Sequence, residues 1–274
     1  MKKIAVIGLG IIGASLGGAL TRAGYAVYGT DQDAEAVKKA ILRGYIAGEA
    51  KRIAEFDAVF IAVPPKATVK ILDETPFKDG AFVADICGVK EPMEKTVYSR
   101  PRAYRYIGLH PMAGKETSGI DAASVDLFEN ANLIITVCSQ TEESAKTEAT
   151  SYATALGFGK IVVCSAKEHD KKIALTSQLA HIVSNAYVKS EEISGCEGFT
   201  GGSFQDMTRI AGVDERVWTQ LYAANRGPIL SELTRLIDCL NEYKHALQEE
   251  DDKTLCEALR AGRLVRERIK RKED

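Results

Sequence analysis

Three glycines, Gly8, Gly10 and Gly13, stand in the spacing G-x-G-x-x-G after the apolar run at residues 4–7. Glycines so spaced suit a bound pyrophosphate. Gly8 permits a tight turn, Gly10 has no Cβ to block the anion, and Gly13 lets the following helix pack close to the strand. A helical pattern at 11–23 follows, closed by Gly24. Its first residues, Ile11 and Ile12, put the positive end of the helix toward the phosphates. A second apolar run, 25–30, ends in Asp31. An acid about 20 residues beyond the glycines accepts hydrogen bonds from the adenine ribose hydroxyls. Its charge would repel a 2′-phosphate, so the expected cofactor is NAD rather than NADP. A nicotinamide cofactor in turn implies hydride transfer.

In a doubly wound sheet the ligand lies beyond the carboxyl ends of the strands, and that rule selects the remaining candidates. The third apolar run ends in Val63-Pro64-Pro65, which turns the chain beside the cofactor. The fourth ends in Asp85-Ile86-Cys87-Gly88-Val89-Lys90, and the fifth in His110-Pro111-Met112-Ala113-Gly114. Oxidising an alcohol requires removal of the hydroxyl proton, and a neutral imidazole such as His110 can take it. Alternatively His110 bonds nearby backbone at a strand end. His181 shares one helix face with Ser177 at i, i+4, and Gln178 lies beside them. This polar patch either lines a substrate site or leaves His181 partly exposed on a helix. Arg209, in Asp206-Met207-Thr208-Arg209-Ile210-Ala211, sits among small and apolar residues. It pairs either with an acid such as Asp206 or with a substrate carboxylate. His169 and His245 lie among charges and are expected to face solvent.

The elements that must hold these residues are legible from periodicity. Residues 1–165 alternate apolar runs (3–7, 26–30, 58–63, 82–86, 106–109, 133–137, 161–163) with helical patterns (33–43, 66–72, 142–156). That alternation predicts an α/β domain of Rossmann type, a doubly wound and mostly parallel sheet binding NAD. Residues 166–274 read instead as amphipathic helices at 167–189, 215–222, 227–249 and 251–270, an all-α domain for substrate binding and dimerisation. The segments 196–203 and 211–214 read as loops. The long apolar helix faces either pair with a second copy, giving a homodimer, or pack within the chain.

Composition narrows the function class. The chain has 274 residues, 27% of them charged, and a net charge of −2, which gives no electrostatic case for nucleic acid or a membrane surface. No apolar run approaches the ~18 residues of a spanning helix. The six cysteines (87, 138, 164, 196, 239, 256) contain no C-x-x-C pair and suit neither a zinc site nor a disulfide framework. Reduced thiols, no metal and a cytoplasmic location are expected.

Taken together, Val6-Ile7-Gly8-Leu9-Gly10-Ile11-Ile12-Gly13, Gly108-Leu109-His110-Pro111-Met112-Ala113-Gly114 with Ser118-Gly119, the segment 175–181, and Thr208-Arg209-Ile210-Ala211 with Trp218 resemble the prephenate dehydrogenases of tyrosine biosynthesis. The resemblance spans nearly the whole chain. It implies an NAD-dependent oxidative decarboxylation. Hydride leaves C4 of prephenate, carbon dioxide leaves C1, and the ring aromatises to 4-hydroxyphenylpyruvate. It also implies that His110 polarises the 4-hydroxyl, that Arg209 holds a substrate carboxylate, and that His181, Ser118 and Gln178 line the substrate site. Two positions depart from the family pattern. Gly88 stands where a serine assisting the histidine is usual, so a water, Ser118 or nothing takes that part. Gln178 stands where many relatives have histidine. Arogenate is the rival substrate. Other hydroxyacid dehydrogenases usually depend on a lysine of the helical half, and no such pattern is recognisable here. A non-catalytic NAD-binding regulator would have no need of His110.

Overall fold

The computed structural model describes residues 2–114, 117 and 119–273. Strand β1 (Lys3–Ile7) leads into helix α1 (Ile11–Arg22), then β2 (Ala26–Thr30) and α2 (Ala34–Leu42). Asp33 caps α2 by accepting from the Glu35 N–H. Next come β3 (Ala58–Ile61), α3 (Pro65–Glu74), β4 (Phe82–Asp85), α4 (Glu91–Val97) and β5 (Arg105–Pro111). They are followed by β6 (Asn132–Thr136), α5 (Glu143–Ala155) and β7 (Lys160–Cys164). Among the described residues these strands form one sheet in the order β2-β1-β3-β4-β5-β6-β7. All neighbours are parallel except β5 and β6, which run antiparallel.

Alternation along each strand divides the core into two apolar layers, one per sheet face. Ile4, Val6, Phe60, Phe82, Ala84 and Ile107 enter one layer, and Ala5, Val59, Ile61, Val83 and Tyr106 the other. Every residue of β3 and β4 is buried, which explains the unbroken apolar run of β3 and of residues 82–84 before Asp85. Full burial of each Val, Ile or Phe stabilises by about 1.5–3 kcal/mol. β7 departs from this expectation. It lies at the sheet edge, and Val163 is exposed.

The parallel register aligns the carboxyl ends of β1 to β5 along one edge. Asp85 pairs with Gly108, so β5 carries His110 just beyond the end of β4.

The helical half begins at α6 (Ala166–Ile173). Ser165-Ala166-Lys167-Glu168 is a capping-box sequence, and the Ser165 side chain accepts from the Glu168 N–H at 3.1 Å. A widened π turn (Ala174–Gln178) joins α6 to α7 (Leu179–Tyr187). Then follow α8 (Gly202–Thr208), α9 (Glu215–Ala224), α10 (Arg226–Gln248) and α11 (Asp252–Glu273).

Two helices lie where the sequence pattern gave none. α8 takes up the end of an expected loop. α4 has only seven residues and a proline in its first turn, and its cap comes from a distant residue. Asp170 of α6 accepts from the Lys90 and Glu91 N–H groups at 2.8 and 2.9 Å. Contacts divide the chain into the compact units Met1–Arg226 and Gly227–Asp274. α6 packs on α4, and α9 on α3, of the sheet region. The second unit comprises nearly all of α10, and α11.

Candidate active site

The glycine turn has the geometry its spacing predicts. Gly8 adopts φ +92°, and a Cβ there would lie 2.4 Å from the Ala62 carbonyl oxygen. A Cβ on Gly13 would lie 1.8 Å from the Gly8 carbonyl oxygen, so no side chain fits. At Gly10 a Cβ would meet no atom within 4 Å. This is an open cradle at the start of α1, where among the described residues no side chain caps the first N–H groups of Ile11 and Ile12. These features fit the pyrophosphate of a dinucleotide. Asp31 follows β2, and its carboxylate accepts from the Leu9 N–H at 2.6 Å and the Asp33 N–H at 2.9 Å. The acid therefore also fixes the glycine turn. Buried Thr68 holds the Val63-Pro64 turn, donating to the Val63 carbonyl at 2.8 Å.

His110 lies at the end of β5 on the same edge. Its Nδ1 is 2.8 Å from Nε2 of His169, whose own Nδ1 is 2.6 Å from the Asp170 carboxylate. His169 is thus a correction. It is 1% exposed instead of facing solvent, because Ala166, His169, Asp170 and Ile173 form the buried stripe of α6. That i, i+3, i+4, i+7 spacing was the available signal, obscured by the flanking lysines and Glu168. His245 is exposed, as expected. Desolvation, then His169 and then Lys90, hold the His110 imidazole well below its ordinary pKa. His169 is also lowered, chiefly by burial and against the opposing bond to Asp170.

Lys90 secures the strand end beneath His110. Its fully buried ammonium donates to Asp85 Oδ1 at 2.5 Å and to the Leu109 carbonyl at 2.6 Å. Tyr106 donates to the other Asp85 oxygen at 2.7 Å, and the Cys87 N–H donates to Oδ1.

The Nε2 edge of His110 faces Gly88. A Cβ on Gly88 would lie 3.8 Å from that nitrogen and 3.4 Å from a methyl of Leu221 in α9, ordinary contact distances. A serine hydroxyl would therefore fit and reach Nε2. Gly88→Ser should fold with stability within about 1 kcal/mol of the parent and change kcat by no more than about tenfold, the worth of one hydrogen bond. Thermal melting and steady-state rates check this. A larger loss of stability would contradict the space inferred at Gly88.

α9 links this position to the second histidine. Leu221 sits by Gly88, while Trp218, one turn earlier, stacks on His181 with ring centroids 4.0 Å apart. His181 Nδ1 lies 3.0 Å from the Ser177 carbonyl, which can only accept, so Nδ1 is the donor of this bond. Gln178 is placed differently from expectation. It is 2% exposed, and its Oε1 accepts from Asn225 at 2.6 Å, so it braces the π turn against the end of α9 in place of lining an open wall. Arg209 follows α8 and is exposed, not enclosed by its small and apolar neighbours. Its segment is pinned to α7, where Ser184 donates to the Met207 carbonyl at 2.6 Å and Asn185 to that of Ala211 at 3.2 Å. Ser118 lies outside the described residues.

Comparison with known proteins gives two family matches. Residues 16–162 match "Prephenate dehydrogenase, nucleotide-binding domain", and residues 165–261 match "Prephenate dehydrogenase, dimerization domain". A prephenate dehydrogenase of Lactococcus lactis subsp. cremoris is 29% identical over 97% of this chain and 77% of its own. Among solved structures, the prephenate dehydrogenase of A. aeolicus, in complex with hydroxyphenyl propionate and NAD+, superposes with a TM-score of 0.85. It is 25% identical over 98% of each chain. Synechocystis arogenate dehydrogenase gives a TM-score of 0.77 at 25% identity, over 97% of this chain and 99% of that one.

Proposed function

Because the chain belongs to the prephenate dehydrogenase family, we propose that it converts prephenate to 4-hydroxyphenylpyruvate with NAD, with His110 as the base. The observation that carries the residue assignment is the placement of His110. It lies on the strand edge that bears the glycine turn, kept neutral, with Nε2 turned away from its protein partner. Gly8, Gly10, Ile11, Ile12 and Gly13 take the pyrophosphate, Asp31 the adenine ribose, and Val63 and Pro64 the nicotinamide side. NAD⁺, when bound, supplies the acceptor for the hydride that leaves C4.

His110 Nε2 takes the C4 hydroxyl proton as the carbonyl forms. The carboxylate on C1 leaves as carbon dioxide, its bonding electrons complete the aromatic ring, and the C4 oxygen, now a phenolate, takes back the proton held by His110. Arg209 offers a planar fork to a substrate carboxylate. His181, stiffened by Trp218 and Ser177, contributes a second imidazole to the substrate wall, and the family resemblance adds Ser118 as a further substrate contact.

Arg209→Gln should raise the KM for prephenate by about 10- to 100-fold with kcat less affected, since it removes a charge-assisted contact worth about 1.5–3 kcal/mol. Trp218, the single tryptophan, reports substrate binding by its emission beside His181. An unchanged KM would remove Arg209 from the carboxylate.

Arogenate is the second reading, favoured by the likeness to the Synechocystis enzyme. Parallel assays with prephenate and arogenate, each with NAD⁺ and NADP⁺, decide between them, and reduction of NAD⁺ by neither substrate would overturn the proposal. A homodimer fits the match of 165–261 to a dimerization domain and the exposed Leu230, Ile237, Leu240 and Leu247 of α10 and Leu259 and Val265 of α11. A cytoplasmic site of action fits the cysteines free in the structure, and no described helix is long and apolar enough to cross a membrane.

A further inference from the structure

We propose that His169 and Asp170 are a positioning pair that sets the tautomer of His110. The inference rests on the reading of His110 as the base.

The argument follows the donors and acceptors one at a time. The Asp170 carboxylate already accepts from the Lys90 and Glu91 N–H groups, and a carboxylate oxygen 2.6 Å from His169 Nδ1 accepts there too. His169 Nδ1 therefore carries its proton. Burial keeps the ring neutral, so His169 Nε2 has a lone pair and no hydrogen. The 2.8 Å contact to His110 can then be made only if His110 Nδ1 donates. A neutral imidazole protonated at Nδ1 has a bare Nε2, which is the atom facing Gly88 and able to accept a hydroxyl proton.

The chain of bonds ends on rigid partners. Asp170 is fully buried and caps α4, its own carbonyl accepts from Asn225 at 2.8 Å, and Asn225 also holds Gln178. His110 is thus oriented from behind, through its Nδ1. A serine hydroxyl at position 88 would act from the front, on Nε2, the atom that must meet substrate. With the tautomer fixed from behind, the front can be left to glycine.

The test uses the full-length protein with saturating NAD⁺ and ¹⁵N-labelled histidine side chains. At neutral pH the parent should show His110 with a protonated Nδ1 and an unprotonated Nε2. His169→Ala removes the acceptor, so His110 should populate both tautomers and kcat should fall about 10- to 100-fold while KM for prephenate moves less than about threefold. His169→Gln places an amide oxygen near the lost Nε2. It should restore the Nδ1–H tautomer and most of kcat, a rescue that packing alone would not give. A parent His110 protonated at Nε2, or a His169→Ala protein with the parent tautomer and kcat, would overturn the pairing. The base assignment is judged separately by kcat of His110→Asn, and its failure would leave the nitrogen signals free to decide the tautomer.

Discussion

His110→Asn is expected to lower kcat by a factor on the order of 10² to 10⁴, the usual contribution of a positioned general base. Asparagine keeps a hydrogen-bonding group near Nδ1, so the bond to His169 can survive while the proton acceptor at Nε2 is lost. NAD binding should be nearly unchanged, because the glycine turn and Asp31 belong to β1 and β2, and His110 to β5. The parent's pH profile should agree. A histidine held well below its ordinary pKa of about 6.5 stays neutral, and so competent as a base, as the pH falls through that value. The acid limb of kcat/KM should therefore lie below pH ~6.5. A variant that kept the parent's kcat, or a limb above that value, would remove His110 from its role.

Lys90→Met should have the largest effect on stability. The Asp85–Lys90 pair is wholly buried, and deleting one partner strands the other charge in an apolar layer. Such losses cost about 3–5 kcal/mol. Among the described residues Asp85 would retain only the Tyr106 hydroxyl and the Cys87 N–H, and the Leu109 carbonyl beside His110 would lose the Lys90 donor. Urea unfolding should thus show a much lower midpoint. Adding Asp85→Asn to the variant should recover part of the loss by removing the stranded charge. A single variant within about 1 kcal/mol of the parent would show that the pair contributes little, and that β5 is held by backbone bonding alone.

The sheet was legible because its signals are local. Alternating apolar runs, the glycine turn and Asp31 each follow from a few neighbouring residues, and all lie at the expected strand ends. His110 could be picked out by the same rule. What escaped was tertiary. His169 looks like a surface residue beside Lys167, Glu168, Lys171 and Lys172, and only the 166-169-170-173 stripe betrays its burial. α4 has a cap supplied from 79 residues away, which no window of sequence contains. Gln178 sits on the expected helix but in a π turn, and the altered turn sends it inward to Asn225. Arg209 has small and apolar neighbours in sequence, yet the end of a short helix leaves it exposed.

The central claim is that one turnover joins oxidation at C4 to loss of the C1 carboxylate on a base supplied by His110. Prephenate labelled with ¹³C in its ring carboxylate, mixed with NAD⁺ and the purified protein, tests it directly. The account predicts labelled carbon dioxide and reduced NAD in equal amounts, 4-hydroxyphenylpyruvate as product, and both signals suppressed together in His110→Asn. Reduced NAD without labelled carbon dioxide, or neither signal from the parent protein, would contradict it.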